Sequence, residues 1–99
     1  MEHNIDIDSK QKIISLIEAL IPYTKIYLFG SRARGTHNTW SDVDIALDAN
    51  KELSINMLDE LRSVLQATNM PYKIEVVDFH RIPTAMQNEI RKEGVLWKP

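Results

Sequence analysis

Phe29-Gly30-Ser31-Arg32-Ala33-Arg34-Gly35, followed after a short loop by Ser41-Asp42-Val43-Asp44-Ile45, is the stretch on which the fold turns. Lys25-Ile26-Tyr27-Leu28-Phe29 reads as a buried strand running into the Gly30-Ser31 turn. Residues 31–35 begin a short helix, whose free N–H groups would point at an anion. Thr36 to Ser41 is a polar loop holding His37, Asn38 and Trp40. Asp42 to Leu47 is the next strand. Side chains alternate along it, so Val43, Ile45 and Leu47 take the packed face and Asp42 and Asp44 share the other. The connection is short enough for these two strands to pair antiparallel.

Working outward, Ile13, Ile14, Leu16, Ile17, Leu20 and Ile21 have helical spacing, which predicts a helix over 9–21 that Pro22 ends. Asp8 with Gln11 resembles its capping box. Met57, Leu58, Leu61, Val64 and Leu65 give the core face of a helix over 55–68. Ser54 is its expected N-cap, Leu53 and Leu58 its hydrophobic staple, and Asn69 its C-cap ahead of Pro71. Lys73 to Asp78 is a third strand. Pro83 sits in the first turn of a last helix that ends before Gly94, with Met86 and Ile90 facing inward. Val95-Leu96-Trp97 either adds a terminal strand or packs on the sheet. The order α, β, short α, β, α, β, α predicts an α/β (α+β) fold, a small mixed sheet flanked by helices, with residues 1–99 as a single domain.

Bulk properties narrow the function. There is no cysteine, hence no disulfide framework and no thiolate metal site, which fits a reducing cytoplasm. Met1-Glu2-His3-Asn4 does not open a secretory signal, and no apolar run is long enough to cross a bilayer. A net charge of −2, with basic residues scattered apart from Arg32 and Arg34, argues against direct nucleic-acid binding.

The central stretch carries the chemistry. A Gly-Ser turn lets backbone N–H groups and a hydroxyl approach phosphate oxygens. Two carboxylates on one strand face suit Mg²⁺, a hard cation that binds through one or two carboxylates together with substrate phosphates. Taken singly, Gly30-Ser31 is a common turn and Asp42-x-Asp44 a common solvated strand edge. Together, after a buried strand and at this separation, they read as a phosphoryl- or nucleotidyl-transfer site. His3, His37 and His80 have no metal-ligand spacing. Trp40 either stacks on a base or partner or anchors its loop, and Trp97 is core or interface.

Gly30-Ser31, ten intervening residues and Asp42-Val43-Asp44 resemble the signature of the nucleotidyltransferase superfamily related to DNA polymerase β. The fuller string is similar to its smallest members, the minimal nucleotidyltransferases (MNT), with helix order and length agreeing over nearly the whole chain. The resemblance implies that Gly30 and Ser31 hold the β- and γ-phosphates of ATP, the substrate, and that Arg32 or Arg34 offsets charge on the leaving pyrophosphate. It also implies two Mg²⁺ ions on Asp42 and Asp44, with a third carboxylate, usually Asp, where Glu75 stands. Glu75 is one methylene longer than the usual residue. Asp78, the other acid of that strand, is three residues away and so on the opposite face, better suited to capping the strand exit near His80.

Larger members of that superfamily carry an extra domain for the acceptor, and this chain offers no obvious place for one. Minimal nucleotidyltransferases are commonly paired with helical HEPN proteins, RNase toxins onto whose tyrosine the antitoxin moves AMP. The resemblance therefore implies a cytoplasmic, Mg²⁺-dependent protein adenylyltransferase antitoxin with a HEPN toxin as partner and no membrane association. The alternative is a catalytically weak or inactive binding antitoxin that neutralises by complex formation alone. A small-molecule or RNA nucleotidyltransferase is a third reading, and a homo-oligomer through apolar surface near the last helix stays open.

Overall fold

The computed structural model of the chain describes residues 3, 5–36, 38 and 41–99. Its elements run α1 (Ile7–Leu20), β1 (Lys25–Phe29), α2 (Gly30–Arg34), β2 (Val43–Asp48), α3 (Ile55–Ala67), β3 (Ile74–Asp78), α4 (Thr84–Glu93) and β4 (Val95–Lys98). The sheet order is β3-β2-β1-β4. β1 pairs antiparallel with β2 and β4, and β2 pairs parallel with β3, giving the expected mixed sheet. The terminal segment is thus a strand, laid against β1.

Alternation along the strands makes two different faces. Ile26, Leu28, Val43, Ile45, Leu47 and Val76 form the main core with Ile13 and Ile17 of α1 and Leu58, Leu61 and Leu65 of α3. Burying such side chains stabilises by about 1.5–3 kcal/mol each before conformational entropy is counted. On the opposite face, Ala46 packs with Phe79 and Ile90, flanked by Tyr27, Phe29, Val77 and Ile82. This second face also carries Asp44 and Glu75, each two residues before Ala46 and Val77 on its strand.

The element ends correct several expectations. α1 starts earlier, because Asp6 caps it: the Ser9 N–H donates to Asp6 Oδ2 at 2.9 Å, and Tyr72 Oη donates to Asp6 Oδ1 at 2.7 Å. The second partner, far along the chain, is what favours Asp6 over Asp8. Ser54 caps α3 as expected, accepting from the Met57 N–H at 3.1 Å. The C-cap is Thr68 rather than Asn69, with its hydroxyl bonded to the Leu65 carbonyl. Pro83 occupies the N-cap of α4 rather than its first turn. Ile90 is buried as predicted, but Met86 is exposed, because α4 covers only part of its sheet face.

Candidate active site

Parallel pairing sets the acids side by side. Asp44 of β2 is in register with Glu75 of β3, and on its other side with Phe29, the residue before Gly30. Three segments separated in sequence therefore meet at one end of the sheet: the Gly30-Ser31 turn, the Asp42–Asp44 segment and Glu75. Asp42 stands just before β2, whose first residue is tied to β3 by a Val43 N–H bond to the Lys73 carbonyl at 2.9 Å.

Gly30 is required here on two counts. Its φ of +76° lies in the left-handed region, and a Cβ built on it would collide with Asp44 Oδ2. The turn backbone and the carboxylate are thus in direct contact. α2 then runs for one turn and ends at Gly35, where φ is +77° and the Thr36 N–H returns to the Ser31 carbonyl at 3.0 Å.

The two arginines of the motif have different surroundings. Arg32, read with Arg34 as facing nucleotide, is instead 1% exposed. It donates to the Ser41 carbonyl through Nε at 3.2 Å and Nη2 at 2.8 Å, and to the His3 carbonyl through Nη1 at 3.0 Å. Its guanidinium stacks 5.3 Å from the Tyr72 ring centre. A planar cation with several fixed donors suits this role, and it anchors the carbonyl immediately before Asp42. Arg34 reaches out of α2 to α4, with Nη1 at 2.8 Å from Glu89 Oε1 and 3.8 Å from Glu93 Oε2.

Charge is concentrated at Asp44. Burial pushes its carboxyl above the usual range, and repulsion from Asp42 and then Glu75 adds to this, partly offset by Arg34 and Arg32. Glu75 Oε1 lies 3.2 Å from Lys73 Nζ. That contact, with the fields of Glu75 and Asp42, raises the Lys73 ammonium above its ordinary value. Among the described residues no three His, Asp or Glu side chains converge to hold an ion as they stand. Glu75 is engaged by Lys73, although it is in register with Asp44. The donor set nonetheless fits a hard divalent cation: oxygen ligands only, mutually repelling, beside a glycine that leaves room for the carboxylate.

The sequence reading singles out neither Lys73 nor Glu89 and Glu93, the partners of Arg34. The Lys73-x-Glu75 spacing, which puts both side chains on one strand face, was a usable signal. Asp78 lies away from the site and caps: it accepts from Leu53 N–H at 2.7 Å and His80 N–H at 3.0 Å. His80 Nε2 sits 2.6 Å from Asp48 Oδ1, at the other end of β2. His3 Nδ1 lies 3.0 Å from the Arg32 carbonyl, which accepts. The Trp97 side chain packs against the main core. The readings of His37 and Trp40 fall outside the described residues. Beside Glu75, a cavity of about 220 Å³ opens between β3 and the end of α3, lined by Arg62, Leu65, Met70, Tyr72 and Lys73 among others.

A mixed sheet with a Gly-Ser turn opposite a carboxylate pair defines a nucleotidyltransferase, and residues 11–97 match the family described as polymerase beta, nucleotidyltransferase. The chain belongs to that family. It is similar to the protein adenylyltransferase MntA of Shewanella oneidensis, 34% identical over 91 residues that cover 90% of this chain. It spans 65% of that relative's length, just under two thirds.

Solved structures agree. A toxin–antitoxin crystal structure with AMP-PNP superimposes with a TM-score of 0.75 and 32% identity, covering 89% of this chain and 71% of the matched one. A tri-AMPylated Shewanella oneidensis HEPN toxin in complex with MNT antitoxin gives a TM-score of 0.69 and 29% identity, covering 89% and 67%. The family and fold read from the Gly30-Ser31 and Asp42-x-Asp44 stretch are borne out. Among the described residues no helix is long and apolar enough to cross a membrane.

Proposed function

We propose that this chain is a cytoplasmic antitoxin that transfers AMP from ATP to a tyrosine of a HEPN toxin. The observation that carries this reading is the register of Asp44 with Glu75 against the Gly30-Ser31 turn. The likeness to an MNT antitoxin in complex with an AMPylated HEPN toxin supports the partner.

Asp42, Asp44 and Glu75 would hold Mg²⁺, as two ions, which supplies charge neutralisation at phosphate oxygens and a lowered pKa for an acceptor hydroxyl. The chain's own groups do the rest. The Ser31 hydroxyl and the N–H groups after Gly30 bind the β- and γ-phosphates. Arg34 offsets charge at the rim, and Arg32 positions Asp42 through the Ser41 carbonyl. In the transfer, a bond forms from the acceptor oxygen to the α-phosphorus as the bond from that phosphorus to the bridging oxygen breaks. Pyrophosphate leaves, and the hydroxyl proton passes to solvent. In-line geometry places entering and leaving oxygens on opposite sides. With the leaving group at Ser31 on the β1 side, the acceptor enters from the β3 side.

The Lys73–Glu75 contact favours a second reading, a binding antitoxin with little or no turnover. Intact mass of the helical partner, incubated with ATP and Mg²⁺, separates the two. Mass gained in whole AMP units with wild type, and not with Asp42→Ala/Asp44→Ala, is the expected result. A stable complex with no mass gain would leave the binding reading in its place.

A further inference from the structure

We infer that Lys73 is a positioning residue that holds the third carboxylate, Glu75, away from the acid pair and thereby sets how tightly the site takes a divalent cation. This rests on the metal reading given above. Lys73, just before β3, and Glu75 lie two apart along the extended chain, and Glu75 Oε1 is 3.2 Å from Lys73 Nζ. An aspartate at the same position would end one methylene short of that contact. The backbone on which Lys73 stands is fixed, because its carbonyl accepts the Val43 N–H at 2.9 Å. Register directs Glu75 toward Asp44, yet no three-carboxylate group is assembled among the described residues. The ammonium therefore acts as an internal counter-ion to the third acid. A divalent ion must draw Glu75 off Lys73 before it gains the third ligand.

The test is Mn²⁺ binding, read by the loss of free-ion electron paramagnetic resonance signal in the absence of nucleotide. Lys73 is exposed, so Lys73→Met should fold normally, as circular dichroism would check. Lys73→Met is expected to tighten Mn²⁺ roughly three- to tenfold, the scale of one nearby screened charge. In a Glu75→Gln background the same change should alter affinity by less than about twofold, because the two residues act through each other. An equal effect in both backgrounds would reduce Lys73 to a general field, and unchanged or weakened binding in Lys73→Met would make it no restraint at all; either overturns the proposal. Asp42→Asn/Asp44→Asn should abolish binding. Mn²⁺ bound equally well by that variant would overturn the metal reading itself, and the Lys73 proposal with it.

Discussion

Gly30→Ala and Gly35→Ala are a matched pair that separates backbone strain from damage to the site. Both glycines have left-handed φ values, +76° and +77°. An alanine should cost each about 1–2 kcal/mol of conformational energy. For a domain of this size that is a fall in Tm of about 4–8 °C per kcal/mol. The surroundings differ. A Cβ at Gly35 meets nothing within 4 Å, whereas at Gly30 it collides with Asp44 Oδ2. To restore van der Waals separation the carboxylate must retreat by roughly 1 Å, a displacement that can cost about 100-fold in rate. The two variants should therefore lose similar Tm by calorimetry, while only Gly30→Ala loses AMP transfer, measured as initial rate of partner mass gain, together with Mn²⁺ affinity. Transfer by Gly30→Ala within a factor of two or so of Gly35→Ala would refute the argument that the missing side chain makes room for Asp44.

The two arginines should part company. Arg32→Met leaves the part-buried carbonyls of His3 and Ser41 without their donor and should lower stability by about 1–3 kcal/mol in urea melts. Arg34→Met removes exposed ion pairs worth under about 1 kcal/mol, leaving Tm nearly unchanged while raising KM for ATP. Asp44→Asn should abolish transfer yet raise Tm at pH 7. The folded-state pKa of Asp44 lies above its unfolded value, so its favourable contribution is present at low pH and lost as pH rises through the folded pKa. The advantage of the asparagine should accordingly fade as pH falls through the raised folded-state value toward the usual carboxylate range, and a Tm gain that persists undiminished below that range would point to another cause.

The sequence made the elements legible where one physical signal dominated. The apolar run ending at Phe29, the Ser54 cap and the alternation through Val43, Ile45 and Leu47 were each local, and each was placed within a residue or so. Helix ends set by distant partners were not: nothing near Asp6 announces that the Tyr72 hydroxyl will bind it. Met86 was misplaced because spacing along α4 says which side faces the sheet, but not how much of the sheet the helix covers. At the site, the residue types of the motif were readable and their environments were not. Arg32 and Arg34 look equivalent in sequence, yet Arg32 is buried with its guanidinium on the Ser41 carbonyl, and Arg34 reaches α4.

The same division explains why this end of the sheet can hold repelling acids at all. Asp42, Asp44 and Glu75 oppose one another, and Arg34 and Arg32 offset that repulsion at Asp44 only in part. Arg32 is bonded to backbone carbonyls, Arg34 is drawn toward Glu89 and Glu93, and Lys73 contacts Glu75. Asp44 is left under-compensated, with its ionised form disfavoured by burial and by its neighbours. Stability comes mainly from the opposite face, where α1 and α3 bury the larger apolar cluster. With the larger apolar core on one face of the four-stranded sheet, the other can tolerate a cluster of charge, which under the proposed function a divalent ion and the phosphates it accompanies would complement.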